Sequence, residues 1–418
     1  MSANRDTHAE LLRIVYRRRM QIQFNLKSIL SQYIARDNRA NVPEGELVSH
    51  AVHMAVTGGV RYTDDDTAAE AGSQSARRHT YNYATLTGSI KISATHMDSV
   101  HSDVAIERQP YDFETTSLIR QLRFHRNVDL FGDGSGKRCG VVSATASSFV
   151  ADSIRNLRTG MRIDVLKTAD GSVAGGVSKA VISFNRKTKV VSMFETKVGG
   201  TPKSFADGTG ADVNANASTY TVYLADSRNK AYFGLDAIVS DANPASGLLY
   251  GNIDRSVAGN EFWQSVVLDN GGVPRMISFP LIDEGVAEVQ QTSDGEVNLI
   301  LCSHAVHRQL TADLVAARRI DNATKKLNGW AIAIMHNDIP IVAEQNCPED
   351  QMYLLDTTMF EFTQTGEGDW MDKDGAILAR IDGKLSYGAN WFHRGQLVCH
   401  APNAQCRIKD LDVTTPET

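Results

Sequence analysis

Several groups of side chains in this sequence have the residue types that chemistry requires. The run GDGSGK (132–137) has the glycines and the lysine of a phosphate cradle, which would turn backbone N–H groups toward an anion. Its spacing excludes that use. The cradle needs four residues between its first glycine and the Gly-Lys pair, then Ser or Thr; Gly132 and Gly136 enclose three, and Arg138 follows the lysine. The run also trails a helical pattern instead of opening one, so no helix N-terminus is aimed at a phosphate. Cys302, His304 and His307 are close enough in sequence for a nucleophile or metal set, but Cys302 ends an apolar strand and the two histidines open a helix. His393 and His400 straddle a strand on opposite faces. Asp207, Asp212 and Asn214 lack the order and the terminal glutamate of a calcium loop, and Asp64–Asp66 read as a solvated acidic tip. Neither HExxH nor GxSxG occurs. No cofactor or metal is expected, and the chain does not read as an enzyme.

The elements that would have to position such groups point elsewhere. With 418 residues and 42% apolar content, the chain can hold two to three domains with proper cores. Its net charge of −6 excludes a polybasic binder as a whole. Cys139, Cys302, Cys347, Cys399 and Cys406 are scattered without a CxxC pair and read as reduced thiols. No run of about 18 apolar residues is present, so no membrane span is expected. Arg17, Arg18 and Arg19 occupy the place of a signal-peptide core, which predicts a cytosolic product.

Residues 110–140 form the organising stretch. Pro110 suits a first helical position, and Asp112 and Glu114 place negative charge near the positive end of the helix dipole. Leu118, Ile119, Leu122 and Val128 share one face, while Arg120, Arg123 and Arg126 load the other for solvent or partners. Gly132, Gly134 and Gly136 end the helix.

This long helix, the GDGSGK turn and the Gly140-Val141 pair resemble the spine helix and following turn of tailed-phage major capsid proteins of the Hong Kong 97 type. The resemblance follows the family's order of elements along the whole chain, with one long insertion. It implies an α+β, Hong Kong 97-type capsid fold with an all-β insertion. The implied parts are an N-terminal arm helix (1–40), a connection (41–60), an extended-loop hairpin (61–94), and a peripheral domain (95–159) carrying the spine helix (110–131). There follow a β-rich insertion (160–225), a connection back (226–275), an axial domain (276–385), returning peripheral strands (386–410) and a loose tail (411–418).

Residue patterns fit each part. The arm carries apolar Val15, Ile22, Leu26, Ile29 and Tyr33 at helical spacing, and its eight basic against three acidic residues give 8 − 3 = +5. Arg13, Arg17, Arg18, Arg19 and Lys27 would face packaged DNA or an acidic scaffold on the inner wall. The loop separates Asp64, Asp65, Asp66 and Glu70 from Arg77 and Arg78, which suits docking between identical neighbours. Thr80 to Ala94, with Leu86, Gly88, Ile90 and Ile92 alternating, would carry its hairpin. Shells of this family that are welded covalently use a lysine in this loop; 61–82 has none, so a shell without crosslinks is expected. Further on, 160–225 reads as a small barrel or sandwich, 278–291 as a helix, 297–302 as a buried strand, and 353–363 as one strand.

The resemblance implies pentamers and hexamers of one chain closing a phage head around double-stranded DNA, built in the host cytoplasm with scaffolding, portal and decoration proteins. Two alternatives stand beside it: an encapsulin-like compartment enclosing an enzyme cargo, and a soluble nucleotide-binding enzyme.

Overall fold

The computed structural model describes residues 29–38, 47–55, 60, 62, 75–94, 110–173, 175–244, 247–293, 295–316, 324–327, 330–366, 368–372 and 377–413. Arg13, Arg17, Arg18, Arg19 and Lys27 of the arm, and Asp64, Asp65, Asp66 and Glu70 of the loop, lie outside them.

A single helical turn, Leu30–Tyr33, leads into β1 (Ala35–Asn38), followed by β2 (Leu47–Ala55), β3 (Ser75–Asn82) and β4 (Ala84–Ser93). The long helix Pro110–Asp129 comes next. It is followed by β5 (Lys137–Thr145), β6 (Ser148–Ala151), β7 (Arg162–Lys167), β8 (Val177–Phe184), β9 (Val190–Phe194) and β10 (Tyr220–Leu224). Then come β11 (Val266–Leu268), helix Phe279–Thr292, β12 (Leu299–Cys302), helix His304–Ala316, β13 (Thr324–Leu327), β14 (Trp330–His336), β15 (Ile339–Ala343), β16 (Met352–Leu355) and β17 (Phe360–Gln364). The chain closes with β18 (Asp369–Trp370), β19 (Ala379–Arg380), β20 (Ser386–Cys399) and β21 (Cys406–Ile408). The fold is mixed α/β.

Among the described residues four β assemblies result. β5 to β10 close a barrel in the order β10-β5-β6-β9-β8-β7, so the apolar strands expected in 160–225 draw in β5 and β6 from immediately after the long helix. Closure explains the earlier start: without β5 and β6 a four-strand sheet would leave its edges unpaired. Phe149, Ile163, Val165, Ile182, Met193 and Val222 fill the barrel interior. A seven-stranded sheet, β11-β21-β16-β12-β15-β14-β13, has a core built with helices Phe279–Thr292 and His304–Ala316. A six-stranded sheet is organised on β20, and β2 pairs with β3 in a two-stranded hairpin.

The long helix lies on β4, where Leu86, Ile90 and Ile92 join Leu118, Ile119 and Leu122 around Trp370 and Trp391. That is the face the leucines and Ile119 predict. Arg126 departs from expectation. It is buried, with its guanidinium 4.5 Å from the Phe362 ring centroid, because the end of the helix plunges into the core instead of remaining on the surface.

Three local readings are overturned. Residues 35–38 are strand, not helix: β1 pairs in parallel with β17, covering an edge that would otherwise expose a row of amides. Thr80 to Ala94 is two strands in different sheets. β3 pairs with β2, whereas β4 runs antiparallel to β20 from Ser386↔Ser93 to Gly395↔Ala84. The segment 353–363 is likewise two strands, since the Asp356 side chain accepts the Thr358 N–H at 3.0 Å and turns the chain from β16 in one sheet to β17 in the other.

Candidate inter-subunit elements

The outer part of β3 in the hairpin is open to solvent. Along β3 only His79 and Tyr81 are buried; Ala76, Arg77, Arg78 and Asn82 are exposed. Beyond it, Val60 and Tyr62 are fully open, at 84% and 106% of their possible surface. Exposed apolar side chains of this kind suit an intermolecular contact. Of the predicted loop residues, Arg77 is held at its root by the Asn260 side chain, and Arg78 sits opposite Ala51 in the hairpin register. The other four are outside the described residues.

Sequence reasoning missed what fixes that root. Tyr81, Tyr250 and Trp263 form an aromatic stack in which Tyr250 and Trp263 are 5.7 Å apart and nearly parallel, with Tyr81 5.1 Å from Tyr250. Two of the three place their polar atoms on the backbone: the Trp263 indole donates to the Tyr250 carbonyl at 2.9 Å, and the Tyr250 hydroxyl accepts the Cys399 N–H at 2.7 Å. Burial lifts the Tyr81 and Tyr250 phenols well above their ordinary range, so both stay neutral. Trp263 is thus a core anchor, with the half-buried Phe262 packed beside it.

The start of the described chain has its own tether. Glu344 is 2% exposed, and its carboxylate accepts the Ile29 N–H at 2.8 Å. Burial raises its carboxyl to about 7 from the ordinary 4.5, opposed by the bonds from the Ile29 and Leu30 amides. With the folded value the higher one, the folded protein takes up the proton first. The contribution to stability is full below about pH 4.5 and is lost as the pH rises through about 7. Glu344→Gln is expected to remove this dependence, so that the difference in Tm between variant and wild type changes between about pH 5 and about pH 8. A difference equal at both ends would count against the tether.

The glycine turn cannot serve as an anion cradle. The Asp133 carboxylate itself accepts the Ser135 N–H at 2.9 Å and the Ser135 hydroxyl, filling the place an anion would take. Gly134 and Gly136, at φ 84° and 78°, allow the reversal, which lets Asp133 bridge to Phe233 and Ser135 accept the Asn229 N–H at 2.8 Å. Gly132 closes the helix by donating to the Asp129 carbonyl at 3.0 Å. On the helix, Arg120 is exposed and Arg123 half-buried, its guanidinium proton held less tightly than usual by burial and by Arg120.

The turn also seats the barrel. Arg138 and Asp129 form a buried ion pair at 2.8 Å. Arg155 donates to the carbonyls of Gln345 and Cys347, and the Arg158 guanidinium lies 4.1 Å from the Phe124 ring centroid. Burial, then Arg138 and Arg158, push His125 down to about 3.

The remaining candidates for chemistry are placed apart. Cys302 is buried with its thiol pushed up to about 12, and the five cysteines are all free and buried. His393 is buried between the Tyr232 hydroxyl at 2.9 Å and the Gln364 side chain at 3.1 Å. His400 instead meets Glu361 at 3.3 Å. Asp207 accepts the Gly210 and Asp212 amides and so shapes its own loop. Among the described residues no group of three His, Cys, Asp or Glu side chains could hold a metal ion, and no helix is long and apolar enough to cross a membrane.

No family model and no curated protein matches the sequence. Solved structures do match. A chain of the capsid asymmetric unit of cyanophage A-1(L) superposes with a TM-score of 0.56 at 12% identity, covering 92% of this chain and 93% of that one. The holo-SrpI encapsulin complex of Synechococcus elongatus PCC 7942 gives 0.46 at 10% identity (93% and 89% covered), and the capsid of a native GTA particle gives 0.46 at 10% (93% and 91%). This chain thus shares the fold of the cyanophage capsid chain over nearly its whole length.

Proposed function

We propose that this chain is the major subunit of an icosahedral phage head, assembling through pentamers and hexamers around double-stranded DNA. The observation that carries the reading is the fold shared with a phage capsid chain across 92% of the sequence. In this reading the molecule has the Hong Kong 97 layout: the long helix is the spine of a peripheral domain, the seven-stranded sheet with its two helices is the axial domain, and the barrel is an insertion. The hairpin, with Asp64, Asp65, Asp66, Glu70, Arg77 and Arg78, reaches a neighbouring copy, and the arm with Arg13, Arg17, Arg18, Arg19 and Lys27 lies toward the DNA. Each interface is modest and is repeated by symmetry, so no single contact has to be strong. Assembly in the host cytoplasm with scaffolding, portal and decoration proteins follows from the same reading, as does the absence of catalysis.

Expression of the full chain followed by electron microscopy and light scattering tests it. Hollow particles of megadalton mass are expected, whereas a small fixed oligomer would refute the shell. Nucleic acid copurifying with the particles separates a phage head from a cargo compartment. Removal of residues 1–28, which spares the core contacts of Ile29, Leu30 and Ile34 and the pairing of β1, is expected to derail assembly while leaving the body folded, and normal particles from that variant would sink the arm's role.

A further inference from the structure

A group of three histidines sits where the hairpin leaves the body. His79 of β3 is fully buried, and neither of its ring nitrogens has a hydrogen-bond partner among the described residues. It is stacked against His50 of β2 at 5.5 Å, lies 4.9 Å from Trp263 and 5.1 Å from Tyr81, and is 6.3 Å from His400, measured between ring centroids. His50 and His400 are themselves 4.8 Å apart. Toward the tip, from Arg78 to Ser75, the strand is exposed or half-buried, so His79 is the outermost side chain of β3 that is buried.

The groups facing it come from every element packed there. From β2 there is His50; from its own strand, the neutral Tyr81 phenol; from the 250–252 turn, Tyr250 with Arg255 behind its ring at 5.6 Å; from the 261–263 turn, Trp263; and from the end of β20, Cys399 and then His400. The carboxylate in this set, Glu361, is engaged by His400 and not by His79. Arg77 is tied to Asn260 on the rim. A proton on His79 would therefore create a buried cation beside two other imidazoles, with two N–H donors and no acceptor for either among the described residues. The ring of Trp263 offers a cation–π attraction, but that does not satisfy the donors.

We propose that His79 is a proton-operated latch: neutral, it packs the root of the β2–β3 hairpin against Trp263 and His400; protonated, it leaves that site and frees the hairpin from the body. The direction follows from linkage. Burial first, then His50 and His400, depress its proton affinity to about 4 from the ordinary 6.5. The latched state thus has its full stability above about pH 6.5 and loses it as the pH falls toward about 4, with no further loss below. Each pH unit inside that window weakens the latch up to tenfold, roughly three-hundredfold in all and about a hundredfold by about pH 4.5. The sign is opposite to that of Glu344, whose burial is favoured by acid, so a fall in pH acts on the two groups in opposite directions.

Hydrogen exchange read by mass spectrometry on the intact full-length protein tests the latch without reference to whether it forms a shell. Peptides covering 47–55 and 75–82 are followed from about pH 7.5 to about pH 4.5 after correction for the intrinsic exchange rate, with barrel strands β7 and β8 as the internal reference. The hairpin is expected to lose roughly a hundredfold in protection while the barrel keeps its own. His79→Phe, which keeps the ring packing and cannot be protonated, is expected to hold protection at the acid end. His400→Gln, on a separate and half-exposed segment, removes one of the two opposing histidines and is expected to lessen the loss. Hairpin protection that does not change with pH in the wild type overturns the proposal. So does a parallel loss in the barrel, or an unchanged acid loss in either variant.

Discussion

Gly234→Ala is expected to leave little or no folded protein. The glycine backbone here is extended, at φ −109° and ψ −168°, a conformation open to any residue, so the constraint is space and not torsion. A Cβ at this position would meet the carbonyl carbon of Leu130 at 2.5 Å and the nitrogen of Gly132 at 2.6 Å, with the Asp129 carbonyl oxygen closer still. All are main-chain atoms of the final turn of the long helix, and that turn is locked. Leu130 N–H donates to Arg126, Gly132 to Asp129, Gly234 to Gly132 and Leu235 to Leu130, at 2.8 to 3.1 Å. A flexible side chain could swing aside, but this turn can yield only by breaking those bonds and withdrawing Leu130 and Phe131 from the central core. The penalty is expected to exceed about 4 kcal/mol, a large share of the stability of an ordinary domain. Gly160→Ala is the control. It has φ +91° but nothing within 4 Å of its would-be Cβ, so only the torsional penalty of about 1 to 2 kcal/mol applies. Thermal melting of the two purified variants decides the matter, and a Gly234→Ala protein melting within a few degrees of wild type would refute the argument.

Replacement of Arg255 is expected to be nearly as damaging. Its side chain is 1% exposed and donates to four backbone carbonyls: Trp263 from Nε at 2.9 Å, Ala237 and Ala242 from Nη1 at 2.8 and 2.9 Å, and Ile238 from Nη2 at 2.8 Å. Burial lowers its proton affinity to about 10, so it remains charged at neutral pH. Carbonyl dipoles, not a carboxylate, receive its hydrogen bonds. Arg255→Met keeps much of the volume but removes the donor from all four carbonyls, of which Ile238 alone keeps another, the Ser265 hydroxyl at 3.0 Å, a loss of roughly 3 to 5 kcal/mol. Arg255→Lys keeps the charge, yet an ammonium has three donors and no planar fork, so it is expected to recover only part of that loss. Because Arg255 holds the Trp263 carbonyl, both variants are also expected to raise hydrogen exchange at the hairpin root at neutral pH. Lysine performing as well as arginine in denaturant titration would show that charge, and not the fork, is what matters.

The two sites differ in how far they could be read in advance. The long helix was legible because Pro110, the acidic first turn and the Leu118–Leu122 face are all local signals. The same holds for helix Phe279–Thr292, with Pro280 at its start, and for the apolar run of β12 with Ser303 capping the helix after it by accepting the Val306 N–H at 3.2 Å. The barrel's strands could be seen one by one, and so could the turn residues between them. Gly234 and Arg255 carried no such signal. Each sits in an irregular stretch and matters because of atoms distant in sequence or belonging to other turns.

Local sequence thus determined which segments are helix and which are strand wherever one face of a single element had to be apolar, since that pattern is written in consecutive residues. It also exposed the defects of the phosphate-loop and metal readings, because those depend on spacing alone. Tertiary structure decided the pairing. A strand's alternation says which residues face inward but not which strand lies beside it. Hence β1 became strand on the edge of β17, β4 left the hairpin for β20, and β5 and β6 were drawn into the barrel. The meeting of His50, His79 and His400 beside Trp263 belongs to the same class of facts. Four residues far apart in the chain become neighbours only when the hairpin folds onto the body, and burial then changes what a histidine at that place does with a proton.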